Sequence, residues 1–568
     1  MKQNTKTSAL SLRLKSQIFL LKILPVCLFF SYSPKIVLAK TDSMNLEFSL
    51  PLLWLMLFAL LSLPSVFQVL RNAFLNPKQK VSFALFLSSS FPLYSLLSIL
   101  WSKNQLRAIL TSGIIWCLYF SLLTFPKIIL LHRKQLGKQI EQNLLLSAVI
   151  VSIFCWLQSI LDLLGFSQSN TLLCDGCISK IFGFPHPNGF AIEPQFMGNL
   201  LLAPIFVSLF RLFQHYEKSS RPFSKTQPAT VRNSSISTSL IQIFSQARLF
   251  IHFRLAVPLF LIATLYLTFS RGAIFSFWFG LILLSLFSII YSRKSGKTIQ
   301  PQKLVKPYSP RKLTVLLFAV AVIPFLFTLF SQGLFTALGP TRHSFLDGIA
   351  TSINHLSLGS LKLDSPTPNQ PPAESPSSSP PDSATQPPTS KQQEPSPGSP
   401  KPAPTFSGYI KESTHIRLNL NHLALTSWQS SFGRALLGVG LGGTGPSLYQ
   451  EFPELGSPKE IIQNEYFAVL YELGLIGVIT IVITSLNIYI LYHKNYKKAK
   501  KPTKQPTSRP IGFMILNSFM DRPRAFYLST LIISYGFTLC FFSGLPNALH
   551  IYLLPPLLFL SQDHNTPR

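Results

Sequence analysis

Five groups of residues at the external or membrane-edge positions of this chain of 568 residues have types and spacing that could do chemistry. The first is Phe184-Pro185-His186-Pro187-Asn188-Gly189-Phe190-Ala191-Ile192-Glu193-Pro194, where the prolines and the glycine break any helix and free backbone groups. Ionisable side chains at membrane depth are costly and are usually kept for function, so His186 and Glu193 are candidate ligand contacts. The bland alternative is an interfacial turn that binds nothing. The second is Ser270-Arg271-Gly272, squeezed between two apolar runs. A guanidinium held by so short a turn suits two-pronged recognition of a phosphate, although an arginine there can also simply snorkel. The third is Arg417, ahead of Trp428 and of Leu437-Gly438-Val439-Gly440-Leu441-Gly442-Gly443. Such glycines permit tight turns or a close backbone approach, but with no preceding strand they are not a dinucleotide fingerprint. The fourth is Gln463-Asn464-Glu465-Tyr466-Phe467, running on into Glu472. A helix N-cap and an interfacial tyrosine explain Asn464 and Tyr466 but leave Glu472 unexplained. The fifth is Cys174-Asp175-Gly176-Cys177, most simply a small disulfide loop, because one such pair supplies too few ligands for structural zinc.

The elements that must position these groups are membrane helices. Hydrophobic residues make up 47% of the chain and charged residues only 12%, roughly half the usual share for a soluble protein. Apolar runs long enough to cross a bilayer recur about twelve times: 17–39, 49–70, 81–101, 108–131, 143–165, 189–210, 250–270, 273–291, 313–333, 464–492, 525–543 and 546–560. The first is also readable as a signal peptide cleaved after Val37-Leu38-Ala39. An all-α polytopic protein is expected.

Charge sets its orientation. With the N-terminus in the cytoplasm, the cytoplasmic connectors carry a net +29 and the opposite side +1, out of a total of +30. That is the positive-inside pattern, so the basic balance needs no nucleic acid, and both termini are expected in the cytoplasm. Residues 1–333 then hold nine spans and basic connectors, 334–463 form one large external loop, and 464–568 hold the last three spans. Within the loop, 365–404 is a run of Pro, Ser, Thr and Gln too polar to build a core, which reads as a tether. Chemistry is expected from its flanks, 334–364 and 405–463. No DxD pair, P-loop or GxSxG elbow occurs in a plausible place, which argues against a nucleotide-sugar transferase, an ATP-driven pump and a serine hydrolase.

In its order of features the chain resembles the O-antigen ligase/polymerase family of bacterial envelope proteins. Ser270-Arg271-Gly272 looks like that family's first signature. Arg417 ahead of Leu437-Gly438-Val439-Gly440 is similar to its second, and Asn464-Glu465-Tyr466 with Glu472-Leu473-Gly474-Leu475-Ile476-Gly477 to its third. The resemblance implies an enzyme of the bacterial inner membrane that needs no metal or other cofactor. It would move a glycan from undecaprenyl diphosphate to an acceptor, which is lipid A–core, another glycan or a protein. Arg271 and Arg417 would hold the diphosphate, with His186, Glu193, Asn464 and Tyr466 as further substrate contacts. Many members carry His immediately before the Asn of the third motif; here that position is Gln463, which hydrogen-bonds but takes no proton at neutral pH. Glu465, His422, His415 or His186 would then serve as base, or the activity is altered or lost. From another class, a transporter or flippase for lipid-linked or anionic solutes would use the same arginines as substrate contacts.

Overall fold

The computed structural model describes residues 2–31, 34–40, 45–75, 80–164, 186–219, 255–298, 310–338, 344–357, 406–455, 462–500, 523–542, 545 and 548–560. The Cys174/Cys177 loop and the 365–404 tether lie outside them. Seven described helices are long and apolar enough to cross a membrane, and the apolar helices at Leu255–Leu267, Arg271–Phe287 and Leu549–Leu560 are shorter.

Helix α1 (Lys2–Phe29) stops where the expected first span continues to 39, because Lys35–Lys40 (β1) turns back against Asn45–Ser49 (β2) in an antiparallel hairpin. A Lys35–Glu47 ion pair of 3.0 Å ties the two strands. Helix α2 (Leu50–Leu75) follows directly. The third expected span is long and apolar enough to cross over Ser82–Trp101 but is segmented into α3 (Lys80–Ser88), α4 (Ser90–Leu97) and a 3-10 turn to Trp101. Serines explain the break: Ser88, Ser89, Ser95 and Ser98 each turn a hydroxyl onto a backbone carbonyl three residues back, which competes with the helical ladder.

Helices α5 (Gln105–Leu131) and α6 (Arg133–Leu163) are joined at His132, and α7 (Pro194–Ser219) starts after the 186–193 turn. Helix α8 (Leu255–Leu267) is joined to α9 (Arg271–Thr298) by a three-residue turn. Then come α10 (Pro310–Leu338), the short α11 (Phe345–Leu356), α12 (Phe406–Gln429), α13 (Phe432–Leu437) and α14 (Thr444–Glu451). Helix α15 (Glu465–Lys500), α16 (Pro523–Thr538) and α17 (Leu549–Leu560) complete the chain.

One large apolar cluster holds most of the bundle together. It joins Leu24 and Phe29 of α1, Phe58 of α2, Phe125 of α5, Phe206 of α7, Tyr266 of α8, Phe277 of α9 and Leu557 of α17. Phe67, Phe86, Leu100, Val315 and Phe318 instead point outward and are exposed, as the lipid face of a membrane bundle requires. The start of α7, the α8–α9 turn, the top of α10 with α11, the start of α15 and the end of α16 meet at one end of the bundle. Gln195 Nε2 of α7 donates to the Phe541 carbonyl at 2.9 Å, a Cβ on Gly272 of α9 would touch Phe541, and Glu465 N of α15 donates to the Leu539 carbonyl at 2.9 Å.

Candidate functional site

The α8–α9 turn is short because Thr268 and Ser270 close it locally. The Thr268 hydroxyl donates to the Leu265 carbonyl at 2.7 Å, and Ser270 N donates to that hydroxyl at 3.3 Å. Phe269 is held at φ +48°, the one non-glycine residue with positive φ among the described residues. Such strain persists only where the surroundings over-determine it, and it clusters at functional sites. Here the turn is clamped by α7, where a Cβ on Gly198 would lie 2.7 Å from that of Ser270. Arg271 is thereby fixed as the first residue of α9.

The 186–193 turn is brought against it from the other side. Gln158 of α6 grips Gly189 at two points, accepting from its N–H at 3.0 Å and donating to its carbonyl at 3.2 Å. Gly189 itself adopts φ +60°, which favours glycine. Asn188 closes the turn onto the Ala191 carbonyl at 2.8 Å, and Phe190 stacks on Phe154. His186 is buried as a result, with its ring 5.3 Å from that of Phe269.

The third component arrives on α11. Ser344 and Asp347 form a reciprocal capping box at its start, and small residues press it onto α10. A Cβ on Gly348 would lie 2.5 Å from Thr336 Oγ1 and 2.9 Å from the Gln332 carbonyl. This lays buried His355 5.4 Å from the His186 ring and 5.9 Å from Phe269. The His186 ring hydrogen-bonds the Thr268 carbonyl and the His355 ring the Phe269 carbonyl. Burial lowers the pKa of both. For His186 the neighbouring His355 and then Arg271 push it further, well below the usual histidine value. For His355, Arg271 is the second cause, and the result is about 4. Both rings are therefore neutral near pH 7, a state in which one nitrogen donates and the other accepts. In this turn and on the helices that clamp it and α11, Ser270 Oγ and both amide atoms of Asn199 and of Gln332 are buried with no hydrogen-bond partner among the described residues.

Sequence reasoning singled out His186 and Arg271, and the structure brings them together. It passed over His355. Only the membership of the 334–364 flank pointed to it, since a lone histidine on a short amphipathic helix carries no signature of its own. The other candidates lie elsewhere around the same end. Arg417 is half-buried on α12, which packs on both α11 and α15, while His415 and His422 are exposed on that helix. Glu193 is exposed at the start of α7, where its carbonyl accepts from Phe196 and Met197. Gln463 is half-buried just ahead of α15, and Asn464 caps that helix by accepting from Phe467 N at 3.1 Å. Glu465 is buried and accepts from the Tyr552 hydroxyl at 3.0 Å, and the Tyr466 hydroxyl donates to the Gly536 carbonyl at 2.7 Å.

Glu472 has a structural explanation that the sequence did not offer. Helix α15 breaks at Gly474, φ +61°, which turns the carbonyls of Tyr471 and Glu472 outward. Val439 N and Gly440 N donate to them at 3.0 and 2.8 Å. The Glu472 carboxylate then latches the same loop, accepting from Gly442 N at 2.9 Å and from the Thr444 hydroxyl at 2.6 Å. From the other side Ser102 Oγ donates to the Leu441 carbonyl at 2.8 Å, and the Tyr94 hydroxyl reaches the carbonyls of Leu437 and Leu473 at 3.2 and 3.0 Å. Gly438 thus lets backbone approach backbone at Glu472 and Leu473 of α15 and Gly440 does so at Ser102, while Gly442 leaves room for the Arg107 side chain of α5. Behind them Arg434, Glu451, Ser427 and Tyr471 form a connected polar network. Replacing Glu472 by Ala orphans two donors, and a loss of about 2–4 kcal/mol is expected, read as a lowered thermal midpoint in detergent.

Among the described residues no group of three or more His, Cys, Asp or Glu is placed to hold a metal ion, and Cys27, Cys117, Cys155 and Cys540 are free thiols. No family model, curated protein or solved structure matches the chain.

Proposed function

We propose that the chain transfers a glycan from an undecaprenyl-diphosphate carrier to an acceptor on the outer face of the bacterial cytoplasmic membrane. The supporting observation is the convergence of Arg271, His186 and His355 from three separate stretches of sequence, at the end of the bundle that the positive-inside pattern assigns to the exterior. A guanidinium beside neutral imidazoles suits an anionic leaving group. Breaking the sugar–phosphate bond develops negative charge on the diphosphate, and a fixed planar cation stabilises that charge as it forms. Arg417 would reach the same anion from α12, the helix packed on the one that carries His355. The buried amides of Asn199 and Gln332 would meet sugar hydroxyls. The carrier supplies the activation, so the reaction needs no nucleotide.

The test is reconstitution of the purified protein in liposomes with an undecaprenyl-diphosphate glycan and a glycolipid, glycan or protein acceptor. New acceptor–glycan product is the expected outcome. A glycan that crosses the bilayer still attached to its carrier assigns the site to transport instead.

A further inference from the structure

We propose that His355 is the general base of this site, accepting the proton of the acceptor hydroxyl, with His186 as the residue that positions it. This rests on the glycan-transfer reading and supplies the proton acceptor that Gln463 is unable to be.

Geometry carries the argument. The two imidazoles meet edge to face, 5.4 Å between ring centroids, and both contact Phe269. Each uses a ring N–H on a carbonyl of the strained 268–269 turn, His186 on Thr268 and His355 on Phe269. In a neutral imidazole that bond fixes the tautomer and leaves the lone pair on the second ring nitrogen. The Phe269 backbone, at φ +48°, presents the carbonyl that receives His355. His186 is locked from behind by the Gln158–Gly189 clamp, whereas His355 rides on α11, which also touches α12. His355 is thus the imidazole carried on the flank of the 334–463 loop rather than on the bundle itself.

Arg271 makes the base respond to the donor. Beside the Arg271 guanidinium, two residues on from the Phe269 carbonyl that holds the His355 ring, a protonated imidazole is disfavoured, which adds to the cost of burial. A diphosphate docked on Arg271 offsets that positive charge, so the proton affinity of His355 rises when the donor is in place. The step is then balanced. The acceptor oxygen attacks the anomeric carbon, the bond from that carbon to the diphosphate oxygen breaks, and the bonding pair leaves with the diphosphate, held by Arg271. The hydroxyl proton goes to His355, which later returns it to solvent. Among the described side chains of α11, α12 and the 186–193 turn, the other charged or titratable groups are Asp347, capping the far end of α11, Arg417, His415 and His422 on α12, and exposed Glu193. The described stretch of α10 from Thr314 to Leu338 has none.

The decisive variant is His355→Gln, whose amide can still donate to the Phe269 carbonyl but takes no proton. In liposomes with an undecaprenyl-diphosphate glycan, transfer should fall about 100-fold or more, with the KM for the donor unchanged. The acid limb of the kcat–pH profile, where the wild-type base becomes protonated, should disappear. Added imidazole should restore part of the activity of His355→Ala, a rescue that a merely structural role does not permit. Transfer at the wild-type rate by His355→Gln, alongside loss in Arg271→Ala, would overturn the base and leave the transfer reading standing. No transfer by the wild type would remove both. Should the variants fail to insert, histidine-labelled wild type is titrated by NMR with and without undecaprenyl diphosphate. A raised His355 pKa on binding is expected, and an unchanged one rejects the proposal.

Discussion

Arg271→Ala is expected to lower glycan transfer by about 10²–10³-fold while leaving expression and insertion intact. The side chain lies at a helix start rather than in the apolar core, so its loss creates no large cavity. It removes the fixed positive charge next to His186 and His355. Arg271→Lys keeps the charge without the planar fork and should recover only part of the rate. An arginine that merely snorkels would accept lysine with almost no loss. Arg271→Ala should also raise the pKa of His355, because the guanidinium is the second cause of its depression after burial. Transfer kinetics and a histidine titration on one variant therefore read two independent consequences of the same contact. Full activity in Arg271→Ala would remove the diphosphate grip and most of the case for a transferase.

The second large effect is expected at Gly438. Its φ is +72°, and a Cβ there would overlap the backbone of Glu472 and Leu473. Neither neighbour can move cheaply, because both belong to the α15 turn on which the loop is hung. Gly438→Ala combines a left-handed backbone penalty with a backbone clash, and about 3–5 kcal/mol of destabilisation is expected. Thermal unfolding in detergent, or loss of folded protein on expression, measures it. Gly433→Ala is the matched control, since nothing lies within 4 Å of its Cβ position. Equal stability of the two variants would show that the loop yields more readily than its packing implies.

How far the sequence reaches depends on whether a residue acts through local pattern or through tertiary contact. Apolar runs identify membrane helices because lipid imposes one rule on each span separately. The first expected span fails in detail because the Lys35–Glu47 pairing is a contact between two strands, and apolar run length cannot register it. Arg271 is legible because a charged residue between two apolar helices is anomalous in one dimension. His186 is legible for the same reason, among prolines. His355 is invisible because its neighbours, residues 186 and 269–271, are far away in sequence and are brought close by the packing of α11 on α10. Glu472 was recognisably odd, but its partners at 442 and 444 depend on the break at Gly474.

That break also bears on how the protein is made. In hydrocarbon, a helix interrupted at Gly474 would leave the carbonyls of Tyr471 and Glu472 without donors, and each such group costs several kcal/mol. The donors are Val439 N and Gly440 N, which precede α15 in the chain. The segment around 437–443 must therefore already be in place when 465–500 takes its final seat, so the preceding loop gates the maturation of this helix. A ribosome synthesising the chain delivers the two pieces in that order, and a version with the loop transplanted behind α15 would present the helix to the insertion machinery before its partner exists.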